Sequence, residues 1–145
     1  MTSDPEELIE SLSRKTPNEI KENLANILGE FPNTYTFTKS MAERVLQKKR
    51  GDLPVVLFRP SIIANSLNEP MPGWGDTLAA AGGLVTVFGA GILNYAYGGG
   101  PLIGDIVPVD FVSNGMIVAA AKHAMKNDLM VVHLASSDLN PMTWD

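Results

Sequence analysis

The sequence predicts an α/β fold in which helices cover a parallel sheet, and three observations support it. Segments with helical and strand-like apolar patterns alternate along the chain, as they do in layered α/β proteins. Val55-Val56-Leu57-Phe58 is a short, continuous apolar run, which is typical of a strand buried on both faces of a parallel sheet. The chain has 145 residues, 45% of them apolar, which suffices for one ordinary domain with a core.

Three helices are predicted before the first strand. Residues 5–14 form a short helix, and Thr16-Pro17-Asn18-Glu19 matches a capping box with proline at the first helical position. The second helix therefore begins there, and it ends at Gly29. A third helix runs from about Thr34 to Arg50, and Gly51 ends it.

Loops predominate after the strand at 55–58. The stretch from Pro60 to Gly75 is rich in proline, asparagine and glycine, which predicts a loop. Residues 76–91 have a weak helical pattern, and residues 95–100 form a turn region.

The end of the chain predicts one more helix and a second central strand. Ile106-Val107 is a short extended piece that ends at Pro108, and Asp110 is expected to cap a helix through about Lys126. Residues 130–134 are the second candidate for a buried strand. We expect the two central strands to lie in a doubly wound sheet with strands from outside this chain.

Composition and charge exclude several classes of protein. The net charge of -5 argues against a nucleic-acid surface, and the one basic cluster, Lys48-Lys49-Arg50, lies at a predicted helix end where the dipole favours cations. Without cysteine, the chain has no disulfide, no thiolate zinc site and no cysteine nucleophile. His123 and His133 lack metalloprotease spacing, so no metal site is expected, and His123 is expected to be solvated or to end a helix.

No segment has the pattern of a signal peptide or a membrane span. The first ten residues are acidic and lack an apolar core. The longest apolar run, Leu78 to Leu93, contains four glycines and is shorter than the ~20 residues that a membrane helix needs. We interpret this run as buried protein or as a lipophilic binding wall.

Tyr35 and Lys39 are the candidate catalytic residues. They are four residues apart on a predicted helix, so they share one face. A reductase needs a proton donor at the carbonyl oxygen, and a nearby ammonium lowers the pKa of a phenol and makes it a better acid. Such pairs are usually ordinary surface neighbours, so the motif needs support from its context.

The strand that follows gives this context. The helix leads through Gly51 into the buried strand, which ends near Arg59. Ligands in open α/β sheets bind beyond the carboxyl ends of the strands. Pro60, Ser61, Ile62 and Ile63 are therefore predicted to line a cofactor crevice, flanked by the helix that carries Tyr35 and Lys39.

Seven short motifs, spread over nearly the whole chain, carry a family resemblance: PNTYTFTKSMAE at 32–43, LPVV at 53–56, RPSI at 59–62, EPMPGW at 69–74, DIVPVD at 105–110, VHLASS at 132–137 and NP at 140–141. Their order and combination resemble those of the fatty acyl-CoA reductases. These are extended short-chain dehydrogenases/reductases with a male-sterility-type NAD-binding domain.

The resemblance implies NADPH-dependent reduction of a long-chain acyl-CoA, through an aldehyde, to a fatty alcohol. It also implies a partial Rossmann-like doubly wound sheet, the C-terminal half, with a substrate-binding region of helices and loops. By motif, Tyr35 is the general acid, Lys39 binds the nicotinamide ribose and tunes Tyr35, and Pro60 to Ile63 contact the nicotinamide end. Residues 69–93 belong to the substrate region, and residues 107–110 close the site near the cofactor.

Two features of the family are missing from the sequence. Its glycine-rich phosphate loop and its active-site serine or threonine would lie upstream of Met1, and Gly89-Ala90-Gly91 lacks the strand–turn–helix context of such a loop. We therefore expect a fragment of a longer reductase, inactive alone, whose sheet a missing N-terminal half or a partner chain completes. Membrane association would come only from regions outside the chain, and the resemblance suggests peroxisomal or endoplasmic-reticulum membranes.

We expect one incomplete reductase domain in three parts. Residues 1–60 are the C-terminal part of the dinucleotide-binding fold, residues 61–105 are a substrate-region insertion, and residues 106–145 are a return helix and strand. An alternative function is a non-catalytic structural or interaction subunit that keeps the reductase shape. Another is a related reductase acting on a smaller carbonyl compound. Trp144 is expected to pack against the protein or to fray.

Overall fold

The computed structural model describes residues 4–78, 80–98 and 100–144, and the chain divides into two compact units between Leu53 and Pro54. The N-terminal unit is helical. Its helices are α1 (Pro5–Ser13), α2 (Pro17–Glu22), α3 (Leu24–Leu28) and α4 (Thr34–Lys49).

The capping box at Thr16 begins α2 as predicted. The Glu19 backbone N–H donates to Thr16 Oγ1 at 3.3 Å, and the Thr16 backbone N–H donates to Glu19 Oε2 at 2.7 Å. The predicted single helix up to Gly29 is wrong, because the backbone leaves helical geometry at Asn23 (φ -106°, ψ 15°). Asparagine is a weak helix former, and the chain continues there as the separate helix α3.

Ion pairs tie α1 to the end of α4. Lys48 Nζ lies 2.7 Å from Asp4 Oδ2 and 2.8 Å from Glu6 Oε2, and Lys49 Nζ lies 2.6 Å from Glu6 Oε1. The hydrogen bond from Lys48 lowers the pKa of Asp4, which also caps α1 by accepting from the Glu6 backbone N–H. The basic end of α4 therefore has acidic partners within its own unit, in addition to the favourable dipole.

The C-terminal unit is mixed α/β with parallel strands, as predicted. Its elements are β1 (Val55–Pro60), β2 (Ile62–Ala64), α5 (Ala80–Gly89), β3 (Ile106–Pro108), α6 (Val109–His123) and β4 (Leu129–Leu134). β1 pairs in parallel with β4, from Val55 opposite Leu129 to Pro60 opposite Leu134. β2 pairs in parallel with β3, with Ile62 opposite Ile106. Each sheet has two strands among the described residues.

Helix α6 packs closely on the β1–β4 sheet at Gly115. A Cβ atom at this position would lie 2.9 Å from Phe58 Cζ, so any larger residue would require the Phe58 ring to shift. Val112 and Ala119, which lie on the same helix, are buried. The core of the unit therefore lies between α6 and this sheet.

The prediction of a continuous loop from Pro60 to Gly75 is wrong over four residues, because Pro60 ends β1 and the three residues of β2 lie within it. This strand is short, and Ile62 and Ile63 are both exposed. The prolines and asparagines near β2 predict a loop, and its apolar run is too short to be identified as a strand from the sequence.

Candidate active site

The fold of α4 places Tyr35 and Lys39 on one exposed face of the N-terminal unit. The helix begins after Asn33, whose side chain accepts a hydrogen bond from the Thr36 backbone N–H at 2.9 Å. Tyr35 therefore lies in the first turn, with 68% of its surface exposed. Lys39 Nζ lies 5.6 Å from the centre of the Tyr35 ring, within the range of a cation–π contact.

The rest of α4 explains why this face is exposed. Phe37 and Met41, four residues apart, are the buried side chains of the helix, and the Phe37 ring contacts Phe31 edge to face at 5.7 Å. Tyr35 and Lys39 lie on another face, and both are exposed to solvent. The phenol and the ammonium are thus adjacent and accessible, which is what proton donation to a bound carbonyl compound requires.

The predicted cofactor stretch lies in the C-terminal unit, at the carboxyl end of β1. Pro60 is the last residue of β1, and Ile62 and Ile63 are the first two residues of β2. Between them, the Ser61 backbone N–H donates to the Leu134 carbonyl at 2.9 Å. The chain therefore passes directly from one sheet to the other here, and the predicted site has one part in each unit.

A small, mostly apolar pocket adjoins this stretch. Asn65 follows β2, and its Nδ2 donates to the Gly73 carbonyl at 2.9 Å. Cβ atoms at Gly75 and Gly82 would lie 2.8 Å and 2.5 Å from the Asn65 amide, so both glycines make room for it. The pocket of ≈ 250 Å³ is lined by Ile63 and Asn65, among others. The pocket therefore combines an apolar wall with a side-chain amide.

Asp110 anchors the loop that follows this pocket wall. Its carboxylate accepts hydrogen bonds from the backbone N–H groups of Leu67, Asn68 and Glu69 at 3.0, 2.9 and 3.1 Å. These bonds lower the pKa of Asp110 to about 2, and only 7% of the residue is exposed. Three charge-assisted bonds to consecutive amides fix the path of the loop.

The prediction that Asp110 caps its own helix is wrong. Helix α6 begins at Val109, and Pro108 occupies the cap position. Asp110 lies one residue inside the helix, so its carboxylate bonds the amides of a segment that is distant in sequence. Nothing in the local sequence indicates these partners, because the three amides lie 41 to 43 residues earlier in the chain.

Asp105 has a similar role between β3 and the segment after β4. The Ser136 backbone N–H donates to Asp105 Oδ1 at 2.9 Å, and the Ser136 hydroxyl donates to the Ile106 carbonyl at 3.0 Å. Hydrogen bonds from the Ser136 amide and from the Ser137 hydroxyl lower the pKa of Asp105. Both carboxylates thus hold backbone segments in place.

The two histidines differ in environment. His123 ends α6, the second of the two predicted alternatives, and it is buried rather than solvated, with 2% of its surface exposed. Its Nε2 lies 3.0 Å from both the carbonyl and the carboxylate Oδ1 of Asp128. His133 lies in β4, with Nε2 3.3 Å from Arg59 Nη1. Within residues 4–78, 80–98 and 100–144, no cluster of three or more histidine or acidic side chains could hold a metal ion.

Comparisons with known proteins identify the relatives of the chain. The family model described as male sterility protein, an NAD-binding family, matches residues 2–116. "Probable fatty acyl-CoA reductase 5" of Arabidopsis thaliana is 44% identical over 115 residues, covering 79% of this chain and 23% of that protein. Fatty acyl-CoA reductase 2 of Mus musculus and fatty acyl-CoA reductase 1 of Homo sapiens are 36% and 37% identical over 144 residues. In both cases the match covers 97% of this chain and 28% of the relative. The chain thus spans about a quarter of the length of these relatives.

Proposed function

The chain belongs to the male sterility protein family of NAD-binding domains, and we propose that it forms part of an NADPH-dependent reductase. The proposed substrate is a long-chain fatty acyl-CoA, reduced through an aldehyde to a fatty alcohol. The observation that carries the proposal is the exposed pair of Tyr35 and Lys39, with the ammonium 5.6 Å from the ring centre. The relatives named fatty acyl-CoA reductases support this choice of substrate.

In this proposal, each named residue has one task. A nicotinamide cofactor, when bound, would supply hydride to the carbonyl carbon. In the first reduction the C–S bond of the thioester then breaks and CoA leaves as the thiol, and a second hydride and proton convert the aldehyde to the alcohol. The Tyr35 phenol donates a proton to the carbonyl oxygen as negative charge develops there. The Lys39 ammonium stabilises the phenolate that remains and hydrogen-bonds the ribose of the cofactor. Pro60 to Ile63 hold the nicotinamide end at the carboxyl end of β1.

We also propose that further strands and helices, from a longer reductase or a partner chain, complete the C-terminal unit. Two-stranded sheets are marginal alone, and apolar grooves of ≈ 410 and ≈ 590 Å³ flank α6. Phe58 of β1 lines both grooves. Ile117 and Val118 of α6 are 67% and 53% exposed, which is unusual for adjacent apolar residues on a domain surface.

The proposed phosphate loop and the localisation to peroxisomal or endoplasmic-reticulum membranes concern regions outside this chain. None of the helices in the described parts of the chain is long and apolar enough to cross a membrane. Both proposals therefore rest on the family resemblance.

The test is the substitution Tyr35→Phe in the full-length protein that contains this chain. Oxidation of NADPH in the presence of palmitoyl-CoA should fall by about 10²–10⁴-fold, the usual contribution of a general acid. Tyr95→Phe is the matched control, because Tyr95 is 90% exposed and has no part in the proposed site. Unchanged turnover of Tyr35→Phe would refute its role. A wild-type protein that never oxidises NADPH would favour the non-catalytic subunit.

A further inference from the structure

The C-terminal unit contains an uncharged stretch whose apolar side chains remain exposed. Between Asp76 and Asp105 the sequence has no lysine, arginine, aspartate or glutamate. Val85 and Leu102 are 65% and 62% exposed, and Tyr97 is fully exposed. Exposed apolar residues that form one contiguous patch can mark a binding site.

These residues form the walls of one groove. One face of α5, with Leu84, Val85 and Phe88, makes one side. The other side is made by Ala96, Tyr97, Gly98, Gly100, Leu102 and Trp144. The groove has a volume of ≈ 900 Å³, within the range of ~300–1,000 Å³ for small-molecule pockets.

Trp144 is held in place, which confirms packing over fraying, the two outcomes expected for it. Its backbone N–H donates to the Gly100 carbonyl at 3.0 Å. A Cβ atom at Gly104 would lie 3.0 Å from Trp144 Cζ2, so the indole packs on the chain there. The groove wall is therefore part of the folded unit.

The lining selects among possible occupants. None of its residues is charged, so a phosphate, a carboxylate or an acidic peptide has no partner there. Helix α5 has ten residues, so the wall that it forms is roughly 15 Å long. The lining favours a flexible hydrocarbon chain that needs no hydrogen bonds.

We propose that this groove binds the hydrocarbon chain of the acyl-CoA and that Gly89 and Gly98 set the chain length it accepts. This inference rests on the proposed reductase function. Both glycines line the groove, and a Cβ atom at either position would meet no atom within 4 Å. A larger side chain at Gly89 or Gly98 would therefore occupy groove volume without displacing protein atoms.

The first experiment compares Gly89→Leu and Gly98→Leu with the wild-type full-length reductase. We expect kcat/KM for stearoyl-CoA relative to dodecanoyl-CoA to fall at least tenfold, since each excluded methylene costs roughly fourfold in binding. Ala90→Leu is the matched control, because Ala90 is exposed and does not line the groove. An unchanged ratio in both glycine variants, with circular dichroism like that of the wild type, would overturn the inference.

The second experiment separates the groove from the reductase chemistry. The full-length protein is irradiated with a palmitoyl-CoA analogue that carries a diazirine near the methyl end, and labelled peptides are identified by mass spectrometry. Labelling of residues 84–102 or Trp144 that palmitoyl-CoA competes away supports the groove, even if no NADPH is oxidised. Labelling of other residues, in a protein that oxidises NADPH, overturns the inference that the groove binds the acyl chain and leaves the proposed function intact. If another part of the protein covers the groove and its residues are not labelled, the inference is also overturned.

Discussion

Helix α4 and the loop held by Asp110 use their polar side chains in opposite ways. On α4, Tyr35 and Lys39 are exposed and contact each other through a ring face, so their polar groups are accessible to a ligand. At the loop, the Asp110 carboxylate is buried and its oxygens accept bonds from three consecutive amides. Residues proposed to react thus keep their polar groups accessible, whereas residues that position the backbone have theirs fully bonded.

Lys39→Met in the full-length protein tests the accessible pair on α4, and we expect it to have the largest effect, a loss of activity. In the proposed mechanism the ammonium stabilises the phenolate and binds the ribose, so its loss should lower kcat/KM with NADPH by about 10²-fold. The melting temperature should stay the same, because Lys39 is exposed. Lys21→Met, on α2, is the control. A lower melting temperature with unchanged turnover would mean that Lys39 has a structural role.

Gly115→Val should lower stability without acting on the proposed chemistry. Its side chain would collide with Phe58, and overpacking of this kind costs about 1–3 kcal/mol. Urea unfolding of Gly115→Val and of Ala120→Val, an exposed position on the same helix, measures the difference. Adding Phe58→Leu to Gly115→Val should restore part of the lost stability. Equal stability of the two valine variants would show that α6 does not approach β1 so closely.

Acid should release the loop that Asp110 holds. The pKa of Asp110 falls from 3.8 to about 2 on folding, so its contribution to stability is complete above 3.8 and is lost as pH falls towards 2. NMR shifts of the Leu67, Asn68 and Glu69 amides should report this titration. These shifts should show no such titration in Asp110→Asn. In the control variant Asp138→Asn the titration should be retained. A titration midpoint near 3.8 in the wild-type protein would contradict the bonded geometry.

The smallest effect is expected at the capping box of α2. Thr16→Ala removes the acceptor for the Glu19 amide at an exposed helix start, and it should cost about 0.5–1 kcal/mol in the free energy of unfolding. Thermal unfolding of Thr16→Ala beside Thr16→Ser, which keeps the hydroxyl, measures this. Equal losses in both variants would point to the methyl group rather than to the cap.

Local signals in the sequence predicted much of the fold. The capping residues of α2 and the apolar run of β1 identified those elements because their causes lie within a few residues. The sequence could not reveal β2, which is only three residues long, or the pairing of β1 with β4. Pairing depends on residues far apart in the chain.

The candidate site divides in the same way. The shared face of Tyr35 and Lys39 follows from helical spacing, and the structure confirms it. The role of Asp110 could not be predicted, because its partners at 67–69 come from a distant loop. The catalytic and cofactor roles of Tyr35, Lys39 and Pro60 to Ile63 stay predictions until the variants are assayed.

The pairing of β1 with β4 also constrains how the C-terminal unit can fold. Arg59 and His133, opposite each other in this pair, are 74 residues apart in sequence. Closing a loop of that length costs entropy before any strand contact repays it, so this sheet should be a late and slow step of folding.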